Sequence, residues 1–197
     1  MRPGKFITIY GINNIGKSTQ CALLTETLSK KGYPVKFIKY PIYEFEPSGV
    51  MINEYLRKEN PYSLSRREIQ LVYTFNRAQY EPTLKLHLSA GTNVIAEDYW
   101  ETGVGWGTAT GVDKEFLLRI NKFCYRENLA ILLSGKRFET GKEKEHLHEN
   151  KDEMLMEKVQ EVFLEIAQEF NWKVIDANRP PEVVAEEIWK IVEPLLS

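Results

Sequence analysis

The sequence predicts a three-layer α/β fold, in which a five-stranded parallel sheet lies between two layers of helices. Five short runs rich in β-branched and aromatic residues alternate along the chain with longer helical patterns, and this order is typical of parallel strands. The fourth run, Leu-Ala-Ile-Leu-Leu at 129–133, is apolar throughout, which favours a strand that helices cover on both faces. A glycine-containing turn at 11–18 joins the first run to the first helical pattern.

The element boundaries follow from turn residues and helix caps. The predicted strands cover residues 5–10, 33–40, 93–97, 129–133 and 172–176. The predicted helices cover residues 18–31, 47–57, 65–90, 113–125, 152–170 and 181–196. Ser65, followed three residues later by Glu68, has the spacing of a capping box. Asp113 suits an N-cap and Pro181 suits a first helical turn. Pro82 lies inside the longest pattern and should kink or interrupt that helix.

The composition indicates a single domain that spans residues 1–197. The chain is 43% apolar and carries a formal net charge of −2, so it can bury a full core and has no general nucleic-acid signature. It contains no apolar run of about 18 residues, so we expect no membrane span and no membrane partner. Cys21 and Cys124 lack C-x-x-C spacing, which favours reduced thiols in a cytoplasmic protein.

Residues 11–18 read Gly-Ile-Asn-Asn-Ile-Gly-Lys-Ser and match the phosphate-binding pattern G-x-x-x-x-G-K-[ST]. Gly11 and Gly16 permit backbone torsions and a close phosphate approach that a Cβ would block. Lys17 would contact the outer phosphates of ATP, and the Ser18 hydroxyl can ligate Mg²⁺. The expected ATP contacts in this loop are Gly11, Asn13, Asn14, Ile15, Gly16, Lys17, Ser18 and Thr19.

Two further parts of the sequence contain charged side chains that phosphoryl transfer could use. Glu97 ends the third predicted strand beside this loop, where a carboxylate can hold Mg²⁺ together with Ser18 and orient Lys17. Residues 134–151 are polar, rich in charge and contain glycines at 135 and 141, a pattern typical of a lid that closes over ATP. Arg137 is the first candidate for the catalytic cation and Lys142 the second. The alternative interpretation of this stretch is a solvated, charged loop.

Four other segments carry a second set of candidate functional residues. They are Tyr-Pro-Ile-Tyr at 40–43 with Pro-Ser-Gly at 47–49, Tyr-Thr-Phe-Asn-Arg-Ala-Gln at 73–79, Glu-Asp-Tyr at 97–99 with Thr-Gly-Val-Gly-Trp at 102–106, and His-Glu-Asn-Lys-Asp at 148–152. Together they resemble the thymidylate kinase family, and the resemblance covers nearly the whole length. It implies a P-loop kinase fold and transfer of phosphate from ATP to a pyrimidine deoxynucleoside monophosphate, with dTMP as the first candidate. It also implies a homodimer formed through the long helices.

The resemblance assigns roles to individual side chains. Tyr73 would stack on the pyrimidine, and Arg77, one helical turn later on the same face, would hydrogen-bond a base carbonyl. Trp106 would close against the sugar, Tyr43 would lie near the acceptor phosphate, and Arg179 would border the adenine. The expected contacts with the acceptor are Asn13, Tyr43, Tyr73, Arg77, Asp98, Tyr99, Gly103 and Trp106. The alternatives are a core aromatic at 73, a solvated charge at 77 and an aromatic anchor in a glycine-rich loop at 106.

Three positions depart from the family pattern. Asn13 replaces an acidic residue that contacts the sugar 3′-hydroxyl, and an amide can still accept that hydrogen bond. Asn14 stands where one branch carries a catalytic arginine, so the catalytic cation should come from the lid. Asp98 stands where the family has the arginine that binds the acceptor phosphate, which reverses the charge. Either Asp98 turns away, or Lys39 or Arg77 compensates, or the protein is instead a deoxynucleoside kinase or a non-catalytic nucleotide-binding regulator.

Overall fold

A single parallel sheet forms the centre of the molecule. The computed structural model describes residues 2–138 and 153–196. Its five strands are β1 (Phe6–Tyr10), β2 (Val35–Lys39), β3 (Asn93–Glu97), β4 (Leu129–Ser134) and β5 (Lys173–Asp176). They lie in the order β2-β3-β1-β4-β5, and every neighbouring pair is parallel. The predicted five-stranded parallel sheet is therefore confirmed.

Seven helices surround this sheet in the described part of the chain. They are α1 (Lys17–Lys30), α2 (Ser48–Arg57), α3 (Arg66–Ser89), α4 (Trp100–Ala109), α5 (Lys114–Ile120), α6 (Glu153–Glu169) and α7 (Pro181–Leu196). Every residue of β1 and β3 is buried, because helices cover both faces of the central strands. None of the helices built from the described residues is long and apolar enough to cross a lipid bilayer.

Helix α4 was not among the predicted helices, and it excludes the alternative of a glycine-rich loop around Trp106. The stretch from Trp100 to Ala109 is helical although it contains three glycines, a residue type that disfavours helix by about 1 kcal/mol each. Neighbouring helices come close enough to these glycines to explain their presence. A Cβ at Gly105 would lie 2.7 Å from the ring of Phe163 on α6, and one at Gly107 would lie 2.7 Å from Leu117 on α5. The glycines therefore serve tight helix packing rather than chain flexibility.

Helix α3 both confirms and corrects its prediction. Its capping box is present, since the Ser65 side chain accepts from the Glu68 backbone and the Glu68 carboxylate accepts from the Ser65 backbone. The helix continues through Pro82 for 24 residues, so the predicted interruption is wrong. Leu84 and Leu88, which follow the proline, are buried in the main core, and this packing holds the last turns of the helix in place.

Helix α5 is shorter than its pattern predicts, because it ends at Ile120 instead of residue 125. The Asp113 side chain accepts from the Phe116 backbone, which confirms the predicted N-cap. The segment after Ile120 is a turn that contains Asn121, a side chain with no exposed surface. That side chain accepts hydrogen bonds from Arg77 on α3, so a tertiary contact accompanies the early end of the helix.

Candidate active site

The ends of three strands converge on one large cavity. Glu97 at the end of β3 pairs with Ile9 of β1 on one side and with Lys39 of β2 on the other, so the loop after β1 lies next to Glu97. A cavity of about 650 Å³ opens at this edge of the sheet. Fourteen of the predicted site residues line it: Asn13, Asn14, Gly16, Lys17, Ser18, Thr19, Tyr43, Tyr73, Arg77, Glu97, Asp98, Tyr99, Gly103 and Trp106.

The loop from Gly11 to Gly16 has the geometry of a phosphate cradle. Gly11 has φ 152°, and a Cβ there would lie 2.8 Å from the Leu133 carbonyl oxygen. Gly16 has φ 95° and forms the N-cap of α1, a left-handed conformation that favours glycine. Helix α1 then begins at Lys17, so its free N–H groups and positive dipole end lie beside the cavity, where they favour an anion.

The Lys17 ammonium lies at the mouth of this loop. It donates to the carbonyl oxygens of Gly11 at 2.9 Å and Ile12 at 3.0 Å, and it lies 3.6 Å from a carboxylate oxygen of Asp98. Its side chain is only 6% exposed, so the charge is held in place before any phosphate enters. A nucleotide phosphate would compete with Asp98 for this ammonium.

Glu97 offers a buried oxygen toward the same space. One carboxylate oxygen pairs with the Lys39 ammonium at 2.9 Å, while the other is buried and has no hydrogen-bond partner among the described residues. Partial burial lowers the pKa of Lys39, but the Glu97 carboxylate outweighs this and the net shift is upward. A carboxylate oxygen without a partner, together with the exposed Ser18 hydroxyl on the cavity wall, is the hard oxygen donor set that Mg²⁺ prefers.

Asp98 faces the phosphate loop. Its backbone has φ 63°, its carboxylate accepts from the Thr102 hydroxyl at 2.8 Å, and Lys17 lies on its other side. Burial raises the pKa of Asp98, although Lys17 opposes that shift. Asp98 therefore does not turn away from the site, and its charge is balanced by the loop lysine.

The opposite wall of the cavity comes from α3 and α4. Tyr73 is half-buried there and packs against the small apolar cluster of Ile52, Leu56 and Ile69. Trp106 on α4 is 8% exposed and lines the same cavity. This wall combines aromatic surface with a few polar groups, which is typical of a site that binds an aromatic ligand.

A second, smaller cavity of about 300 Å³ adjoins the phosphate loop. Ile15, Gly16, Thr19, Phe138 and Arg179 contribute to its walls. The Arg179 guanidinium is paired with Glu187 at 2.6 Å, so it forms a fixed border of this space.

Comparison with known proteins agrees with this geometry. The family model described as "Thymidylate kinase" matches residues 9–188. The chain belongs to the thymidylate kinase family.

Relatives in distant organisms match over nearly the full length. A thymidylate kinase of Dictyostelium discoideum is 28% identical and covers 98% of this chain and 86% of its own. A probable thymidylate kinase of Thermococcus kodakarensis is 31% identical, covering 97% of this chain and 98% of its own. The solved structure of thymidylate kinase from Candida albicans matches with a TM-score of 0.85 at 25% identity, over 98% of this chain and 92% of that one.

Some residues predicted from the thymidylate kinase resemblance lie at the margin of the site. Tyr99 is 1% exposed, and its hydroxyl donates to Glu81 at 2.7 Å, so little of it is available to a ligand. Arg137 is half-buried and precedes Phe138, whose backbone N–H donates to the Asn14 carbonyl at 2.7 Å. This contact holds the start of the predicted lid against the phosphate loop. Lys142 lies outside the described residues.

The structure also brings in residues that the sequence interpretation missed. Gln70, Arg57 and Arg66 line the main cavity. The Arg57 guanidinium lies 4.9 Å from the centre of the Tyr43 ring, a cation–π distance. Gln70 precedes Arg77 by seven positions, about two helical turns, so helical spacing alone could have placed it on the same face of α3.

Proposed function

We propose that this member of the thymidylate kinase family transfers the γ-phosphoryl group of ATP to a pyrimidine deoxynucleoside monophosphate, converting dTMP to dTDP. One observation carries the proposal: a single cavity joins the phosphate loop to the aromatic and arginine wall of α3 and α4. Donor phosphates and an acceptor nucleotide can therefore lie in one space. Phosphoryl transfer depends mainly on such positioning and on charge neutralisation.

The donor half of the site would bind the triphosphate of ATP. The loop N–H groups and the α1 N-terminus receive the phosphates, and Lys17 moves from the loop carbonyls onto the transferring group. Ser18 and Glu97 would hold Mg²⁺, which supplies positive charge against the phosphate oxygens. Arg179 and the smaller cavity would border the adenine, and their position beside the same loop supports this assignment.

The acceptor half would bind the deoxynucleotide. Tyr73 stacks on the base, Arg77 donates to a base carbonyl, and Trp106 closes on the sugar. Lys39 is the proposed partner of the acceptor phosphate, because its ammonium lies in the cavity beside Glu97 and offsets the charge of Asp98. Asn13, Tyr43 and the lid cations, Arg137 first and Lys142 second, complete the proposed set.

A coupled assay of ADP release tests the activity. We expect ATP-dependent turnover of dTMP, little turnover of thymidine, and a loss of at least about hundredfold in K17M, because one preorganised donor to the reacting group is removed. The control variant E115Q changes one exposed carboxylate on α5 and should keep full activity. ADP release no faster with dTMP than without acceptor would overturn the proposal, and faster turnover of thymidine would assign the protein to the deoxynucleoside kinases.

We further propose that the single domain acts as a cytoplasmic homodimer. Leu71, Phe75 and Leu86 on α3 are 46%, 47% and 68% exposed, and exposed apolar side chains on one long helix suit a second copy of the chain. The two cysteines are free and buried, which fits a reducing compartment. Light scattering should give twice the 22.9 kDa chain mass, and a monomer at micromolar concentration would contradict the dimer.

A further inference from the structure

A pair of buried polar side chains forms the inner wall of the acceptor half of the cavity. Gln70 and Arg77 lie two turns apart on α3, are 5% and 4% exposed, and both line the cavity. Polar groups so deeply buried are normally hydrogen-bonded. The partners that each of them has, or lacks, indicate what a ligand must supply.

Arg77 is fixed by the protein around it. Its Nε and Nη2 donate to Asn121 Oδ1 at 3.1 and 2.9 Å, and Nη2 also lies 3.3 Å from the Thr74 hydroxyl. Asn121 is itself anchored, because its Nδ2 donates to the Leu117 carbonyl at 2.9 Å. A guanidinium carries only donors, so this anchored group can present nothing but N–H to a ligand.

Gln70 presents an acceptor. Its Oε1 is buried and has no hydrogen-bond partner among the described residues. A buried carbonyl oxygen without a donor is unfavourable, so a ligand that brings an N–H or O–H to this point would gain affinity. The neighbouring Arg77 charge favours the orientation of the amide that turns its oxygen, not its nitrogen, toward the guanidinium.

Gly103 brings the donor and the acceptor together. A Cβ at this position of α4 would lie 3.0 Å from Gln70 Oε1 and 3.4 Å from Arg77 Nη2. Both polar atoms therefore approach the same point on the α4 backbone, at the part of the cavity wall that Gln70, Arg77 and Gly103 form together. The site presents one acceptor next to one donor.

We infer that Gln70 is a specificity-determining residue that accepts the N3–H of a pyrimidine imide while Arg77 donates to the adjacent O4. Thymine and uracil carry this donor–acceptor order on neighbouring ring atoms. Cytosine carries the reverse order, an N3 acceptor and an N4 amino donor. In the same position its N3 would face the Gln70 acceptor, and its amino group would face the Arg77 donor. The inference rests on the proposed function for the location of the base, and adds the side chain that selects it.

Equilibrium binding without ATP tests the inference separately from turnover. Calorimetry would compare dTMP and dCMP on the wild type, Q70L, Q70E and the control Q168L, an exposed glutamine on α6. We expect the wild type and Q168L to prefer dTMP by about a hundredfold, and Q70L to reduce that ratio at least about tenfold, because a site that hydrogen-bonds a ligand discriminates strongly. Q70E keeps an acceptor oxygen in the same place and should keep the preference for dTMP.

The outcomes separate this inference from the kinase proposal. A Q70L variant that melts like the wild type and binds both nucleotides equally less well would overturn the inference, since a packing role affects both bases alike. A wild type without preference between dTMP and dCMP would also overturn it. Selective binding of dTMP that depends on Gln70, in a protein that transfers no phosphate, would support the inference and refute the proposed activity.

Discussion

At the scale of single residues, the carboxylates at the strand ends define how this site differs from the family pattern. Glu97 has one oxygen on Lys39 and one that has no hydrogen-bond partner among the described residues, and we propose that this second oxygen accepts from a metal-bound water. Asp98 lies against Lys17 in a region that must receive phosphates. The two carboxylates and the two lysines balance in charge, so the net positive charge of the cavity wall comes from Arg57, Arg66 and Arg77.

The charge of Asp98 can be removed without changing its shape. We expect D98N to lower the KM for ATP and for dTMP about tenfold. A negative charge a few ångströms from a phosphate is unfavourable by on the order of several kcal/mol at an effective dielectric near 20. The expected effect is smaller than this because side-chain rearrangement offsets part of the repulsion. The Thr102 hydroxyl can still donate to the amide oxygen. Steady-state kinetics at low and high salt would measure the effect.

Two comparisons make this prediction decisive. E115Q removes one negative charge outside the cavity and should leave both KM values unchanged. D98R restores the charge of the family's arginine, and a strong rise in dTMP turnover would identify a weakened monophosphate kinase. A large fall in kcat for D98N, with KM unchanged, would instead show that Asp98 has its own part in the chemistry.

At the scale of secondary-structure elements, α4 is where local sequence and tertiary structure disagree. Its glycines at 103, 105 and 107 favour a loop when only neighbours in sequence are considered. Each of them meets a different element, namely α3, α6 and α5. The helix exists because three packed neighbours stabilise it, and it then places Thr102, Gly103 and Trp106 on the cavity wall.

Helix α4 should be most sensitive at Gly105. We expect G105A to lower the free energy of unfolding by about 1–3 kcal/mol, because its Cβ would lie 2.7 Å from the buried Phe163 ring and overpacking outweighs the gain in helix propensity. G107A is the matched comparison, since its nearest neighbour is the end of the Leu117 side chain, which can rotate. Chemical denaturation of both variants measures the difference, and equal or greater loss in G107A would contradict the packing explanation.

At the scale of the whole molecule, stability depends on a buried acidic cluster away from the phosphate loop. Glu101 on α4 is 2% exposed and accepts from the Tyr10 hydroxyl. The same hydroxyl lies 3.4 Å from Glu127, near the start of β4. Burial, reinforced by the charge of Glu127, raises the pKa of Glu101 well above the ordinary value of 4.5. The hydrogen bond from the Tyr10 hydroxyl on β1 to Glu101 on α4 thus links the centre of the sheet to that helix.

This cluster makes folding sensitive to pH. Above pH 4.5 the unfolded chain releases the Glu101 proton while the folded chain keeps it, so the free energy of unfolding should fall as the pH rises until Glu101 also ionises in the folded state. One such proton gives a slope of at most about 1.4 kcal/mol per pH unit. E101Q should flatten the slope in urea titrations between pH 5 and 8, whereas E157Q, an exposed carboxylate on α6, should not. Stability that rises with pH over this range would contradict the assignment.

Local signals in the sequence were sufficient to predict the sheet and the phosphate loop. Strand runs, caps and the pattern at 11–18 are local signals, because backbone torsion, side-chain alternation and capping depend on residues close in the chain. The structure agrees with all five predicted strands and with a helix that directly follows the phosphate loop. The family resemblance added the residues of the acceptor half, of which Tyr73, Arg77 and Trp106 line the cavity.

Features that depend on contacts between distant residues could not be predicted from the sequence and emerge only in the folded chain. The helical state of 100–109, the continuity of α3 through Pro82 and the early end of α5 all follow from packing between elements far apart in the chain. The same holds for the pairing of Asp98 with Lys17 and for the meeting of Gln70, Arg77 and Gly103. A sequence names these side chains, but their charges and hydrogen-bonding atoms act over a few ångströms, and only the folded chain brings them within that distance.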